Sequence, residues 1–138
     1  GLGDVYKRQL FGWNPRGIVL HSPEYLPVRE VLATAKASGG AVVFAHPTVY
    51  KSMPLVRELA AEGAIDGIEV DHPSNSPEDR AECVQLCREY GLVPTAGTDF
   101  HGRNHKVPHP IGTCTAPDET VTRLQEIARK RGGGNGTR

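Results

Sequence analysis

The chain has 138 residues, the length of one domain, and its sixteen Lys and Arg balance sixteen Asp and Glu, so no uniform field exists to steer duplex nucleic acid or an anionic membrane. Hydrophobic residues at 38% against 23% charged exclude whole-chain disorder, and Gly 16 with Pro 11 points to a loop-rich fold instead of a helical bundle. No apolar run nears the roughly 20 residues of a membrane span, no signal peptide opens the chain, and three cysteines form no disulfide framework, which together make the cytoplasm the default compartment.

The opening Gly1 to Gln9 resembles a translated adapter string and the only methionine is Met53, so residues 1–9 read as a non-native leader. Residues 10–128 read as the folded part and 129–138 as a flexible basic, glycine-rich tail. Val28 to Ala37 sets Val28, Val31, Leu32 and Ala35 at helical spacing before Gly39-Gly40 stops it. Ala41 to Ala45 is an unbroken apolar run, as a strand buried on both faces requires. Pro54 to Glu62 predicts a second helix, with Pro54 in its first turn and Gly63 at its end. A second strand follows over Ile65 to Val70, Ile68 and Val70 alternating around Glu69. Ser76-Pro77-Glu78-Asp79 then marks a helix start: an N-cap serine, proline at the first position and acids in the first turn. That helix runs to Tyr90, closes at Gly91, and carries Cys83 and Cys87 as part of a buried stripe. A strand over Leu92 to Ala96 leads into Gly97-Thr98-Asp99, and a last helix covers about Glu119 to Lys130. Helices and strands in alternation predict an α/β fold with parallel strands.

Each strand ends in residues able to bind metal: Ala45-His46-Pro47, Val70-Asp71-His72-Pro73 and Thr98-Asp99-Phe100-His101-Gly102. Parallel strands bring their C-terminal ends to one face, where sites are built, and imidazole with carboxylate suits zinc, manganese or iron. Taken alone, His46 is more readily a turn residue before proline, and Glu69 a structural partner of a nearby Arg. His105 and His109 lie among Gly102, Pro108 and Pro110, which argues for a loop, and His21 reads as incidental.

Together, the Gly39-Gly40-Ala41-Val42-Val43-Phe44-Ala45-His46-Pro47 run, Asp66-Gly67-Ile68-Glu69-Val70, Ser76-Pro77-Glu78 and Gly97-Thr98-Asp99-Phe100-His101-Gly102 resemble the C-terminal half of the PHP family, the polymerase and histidinol phosphatase domains. The likeness is to the stand-alone phosphoesterases and covers about Pro23 to Ala128. It implies the C-terminal part of a distorted seven-stranded (β/α) barrel with parallel strands, whose complete domain holds two or three divalent ions, manganese, zinc or iron, at its mouth. It further implies hydrolysis of a phosphate ester of a nucleotide, an RNA end or a small metabolite. By position, His46, Asp99 and His101 match metal ligands, Asp99 and His101 the catalytic ones among them, while Glu69 is not taken as a ligand. Arg103, His72 and Asn75 are candidate substrate contacts. The family's early His-x-His and bridging Glu are absent, Val49 stands where Arg often follows Ala-His-Pro, and Asn75 where His often precedes the Ser-Pro-Glu helix.

The expected function is therefore that of a metal-dependent phosphoesterase present as a fragment that is itself inactive. The alternative is a PHP-like accessory or binding domain that lacks catalysis; retention of His46, Asp99 and His101 together argues against loss of the metals. Neither reading calls for a membrane or strong duplex nucleic-acid binding.

Overall fold

In a computed structural model of the chain, the described residues are 2–11, 24–102, 107 and 109–132. They form α1 (Leu2–Phe11), α2 (Val28–Ala37), β1 (Val43–Phe44), α3 (Met53–Ala61), β2 (Gly67–Asp71), α4 (Pro77–Tyr90), β3 (Val93–Ala96) and α5 (Glu119–Gly132). The alternation read from the sequence is present, and the three strands make one parallel sheet in the order β1-β2-β3. The stretch read as a leader is helical from Leu2.

Hydrophobic patterning places the core. Val56 and Leu59 from α3, Ile68 from β2 and Cys83 from α4 are each 0% exposed, and Val42, Val70, Leu86, Cys87 and Leu92 pack around them. Cys83 and Cys87 are buried free thiols, as the stripe requires, and the Cys83 thiol lies 3.8 Å from the Met53 sulfur. The α4 termini follow local chemistry: the Ser76 hydroxyl accepts the Asp79 N–H at 3.1 Å, and Gly91 closes the helix at φ 68, a left-handed conformation that glycine adopts without a Cβ clash.

Three elements depart from expectation. β1 spans two residues where five were expected, and both are only half-buried. It lies at an edge of this sheet, and at its start the Asp66 carboxylate takes the Val42 N–H at 2.7 Å in place of a ladder bond. α2 has no buried residue: Leu32 and Ala35 lean on the core while Val28 and Val31 stay exposed. Residues 129–132, expected within a tail, are instead helical, because α5 continues to Gly132. The physical reason is Arg131, whose two guanidinium nitrogens each donate to an Asp66 oxygen at 2.5 Å, one of them also reaching the Gly40 carbonyl at 2.8 Å. No helix among the described residues is long and apolar enough to cross a membrane.

Candidate metal centre at the strand ends

Because the strands are parallel, the segments leaving β1, β2 and β3 emerge at the same edge and deliver His46, His72 and the Asp99–His101 pair there. Both β1 and β3 are followed by unusual backbone: His46 has φ 31 and Asp99 φ 51, in the left-handed region that non-glycine residues seldom enter. Such strain concentrates where a surrounding network over-determines a site.

For His46 that network is visible. Its N–H donates to Glu69 Oε2 at 2.8 Å. The other carboxylate oxygen of Glu69 lies 2.5 Å from where a Cβ on residue 97 would stand, so any side chain there would have to displace the Glu69 carboxylate. Glu69 therefore sits between the end of β1 and the segment after β3. Its role is structural, as expected, but its partner is a backbone N–H and not an Arg. The next turn is fastened by Thr48, whose hydroxyl donates to Asp79 Oδ2 at 2.6 Å and accepts the Ser76 N–H at 3.3 Å.

His72 is 3% exposed. Its ring centroid lies 5.4 Å from that of His46. Its Nδ1 accepts the Ser74 N–H at 3.1 Å, and its Nε2 stands 3.8 Å from Asp99 Oδ2. Asp99 Oδ1 in turn is 3.6 Å from His101 Nδ1. Asp99 and His101 both lie beyond β3, which ends at Ala96, in irregular backbone with Asp99 left-handed and Gly102 at φ 92. His46, His72, Asp99 and His101 thus form a run of neighbours.

Two imidazole nitrogens in this run, His46 Nδ1 and His72 Nε2, are buried with no hydrogen-bond partner. Buried polar atoms are nearly always paired, so orphaned nitrogens beside a carboxylate fit a group that arrives from outside. Among the described residues no three His, Cys, Asp or Glu converge closely enough to hold an ion by themselves. The donors present therefore fit part of a metal's coordination shell.

Asn75 has a different role from the one its position suggested. Its amide donates to the Glu69 and Val70 carbonyls at 2.8 and 3.0 Å, bracing β2 where the register with β3 is irregular. What remains is an unpartnered acceptor, Oδ1, which has the wrong polarity for a phosphate oxygen. Arg103 and His105 lie outside the described residues, as does His21, and His109 falls in irregular backbone. Sequence reasoning missed the Glu69 contact; the signal was a lone acid in an apolar strand followed by Gly97 on the neighbouring one.

No family model matches the sequence. A phosphoribosyl 1,2-cyclic phosphate 1,2-diphosphodiesterase of Eggerthella lenta is 37% identical over 93 residues, 67% of this chain and 35% of that protein. The 5'-3' exoribonuclease Rnm of Escherichia coli is 31% identical over 104 residues, 72% of this chain and 34% of the enzyme. A crystal structure from Bifidobacterium adolescentis, whose protein carries the provisional name metal-dependent phosphoesterase, superposes with a TM-score of 0.65 at 32% identity, over 78% of this chain and 39% of that one. The chain spans about a third of the length of the curated relatives it matches. Sequence identity and fold agree with the motifs at the strand ends, and the likeness to these relatives supports the PHP family over the part of its domain that the chain spans.

Proposed function

We propose that the chain is the portion of a metal-dependent phosphoesterase that carries the C-terminal strand ends of a distorted seven-stranded (β/α) barrel, with residues 10–128 as the partial domain, acting in the cytoplasm on a phosphate ester of a nucleotide, an RNA end or a small metabolite. The observation that carries this reading is the buried, unpartnered His46 Nδ1 at the edge where His72 and Asp99 meet.

In the complete domain His46, Asp99 and His101 would hold divalent ions, two or three of zinc, manganese or iron. When bound, such ions supply the positive charge that offsets charge building on phosphoryl oxygens. The chain's own residues prepare that arrangement. Glu69 fixes the His46 backbone through its N–H, which leaves the imidazole to face the site. Asp99 turns its two oxygens toward different neighbours, His72 and His101. His72 and Arg103 are the proposed contacts to substrate oxygens, while Asn75 shapes the backbone beneath them.

The test is phosphate release from nucleotides and short RNA by the complete domain, with and without added manganese or zinc. Metal-dependent turnover that Asp99→Ala abolishes supports the reading. Turnover that survives both chelation and Asp99→Ala refutes it.

A further inference from the structure

We propose that His72 acts in this site as a hydrogen-bond donor to a phosphoryl oxygen and is not one of its metal ligands, an inference that rests on the phosphoesterase reading above. The Ser74 N–H donates to His72 Nδ1 at 3.1 Å, so Nδ1 must present its lone pair there and the ring proton sits on Nε2. Ligation through Nε2 demands the reverse, an Nε2 lone pair with the proton on Nδ1, where it would meet the Ser74 N–H head on. Metal-bound histidines use the second nitrogen to donate to a carbonyl or carboxylate, and His72 has a donor in that place.

The Nε2–H that results is buried and unpartnered. The closest acidic oxygen the structure gives it, Asp99 Oδ2, lies at 3.8 Å, beyond hydrogen-bond reach. With the ring 3% exposed and 5.4 Å from the His46 ring, this donor is buried beside two of the candidate ligands, His46 and Asp99. An N–H in that position repels a cation and attracts an anionic oxygen. The chemical class it suits is therefore the phosphoryl group, which offers several acceptors and no donor when ionised.

The experiment reads the His72 ring nitrogens by NMR in the 138-residue chain, first without metal and then with saturating zinc. Inorganic phosphate affinity is then measured in the zinc-loaded wild type, His72→Gln and His72→Phe. The expected result is an Nε2-protonated ring in both spectra, with zinc affinity equal in all three proteins. Phosphate affinity falls about tenfold in His72→Phe, the usual effect of one lost hydrogen bond to a charged group. In His72→Gln it stays within about threefold, because the glutamine amide places an N–H where Nε2 was. A proton on Nδ1, loss of the Nε2 proton when zinc is added, or equal phosphate affinity in Phe and Gln variants overturns the proposal. If zinc perturbs neither His46 nor Asp99 in the complete domain as well, the phosphoesterase reading fails instead, and the metal-free spectrum alone decides the His72 inference. Should His72→Phe not fold, the position of the ring proton in the two wild-type spectra decides the inference by itself.

Discussion

Replacing Glu69 with alanine removes an acceptor wedged between two ligand-bearing segments. The half-buried His46 N–H loses a carboxylate partner at 2.8 Å, a bond to a charged group whose removal costs about 1.5–3 kcal/mol. Against that, His46 is held at φ 31, and release from the left-handed region returns about 1–2 kcal/mol. The net loss of stability is therefore modest, about 1 kcal/mol, whereas the effect on metal binding is large because the conformation presenting His46 is no longer enforced. If the strained conformer then lies about 1.4 kcal/mol above the relaxed one, zinc affinity falls about tenfold. Gly97→Ala should act in the same direction, since its methyl would meet Glu69 Oε1 at 2.5 Å and displace the carboxylate. Glu69→Gln keeps a carbonyl acceptor and should recover much of the loss. The assays are urea midpoints and calorimetric zinc titrations of the four proteins. Zinc affinity in Glu69→Ala equal to wild type, with a stability change inside the roughly 0.5 kcal/mol of an ordinary surface substitution, would refute the reasoning.

Three other outcomes follow from the geometry. At Asp66 burial works to raise the carboxyl pKa, but the Arg131 guanidinium, the Val42 N–H and Lys36 outweigh it and hold the group below its ordinary value. A depressed folded pKa stabilises above the unfolded value, about 3.9, and that contribution disappears as pH falls through the folded one. Asp66→Asn should thus cost about 2 kcal/mol near neutrality and progressively less below about pH 4, measured by urea unfolding across pH; a gap independent of pH would contradict the ion-pair account. In the complete domain Asp99→Ala should lower kcat about a hundredfold or more with the melting temperature nearly unchanged, and His109→Ala should do little; equal losses in steady-state assays would remove the distinction. Burial pushes the Cys83 and Cys87 thiols up to about 12 and about 11. Native alkylation followed by mass spectrometry should accordingly label half-buried Cys114 first and the other two only after unfolding, and labelling of Cys83 at the Cys114 rate would count against the buried stripe.

What the sequence by itself determined is whatever depends on neighbours along the chain. The α4 boundaries follow from Ser76, Pro77 and Gly91, and the strand centres from Val43, Ile68 and Val93, since caps and short apolar runs act within a few residues. The ligand-type residues at the strand ends were legible for the same reason, because a parallel sheet gathers those ends at one edge regardless of the detail between them. Tertiary structure decided the rest. Only the sheet brings Glu69 to the His46 N–H and fills the space at Gly97, a contact across 23 residues with no local signature. Only the fold carries Arg131 back to Asp66, 65 residues away, and so extends α5 beyond its expected end. The orientation of His72 has the same origin on a smaller scale: its turn assigns Nδ1 to Ser74, and burial between His46 and Asp99 gives the remaining nitrogen its setting. Hydrogen bonds and buried polar atoms are set by three-dimensional proximity, whereas periodicity and capping are set by the chain itself.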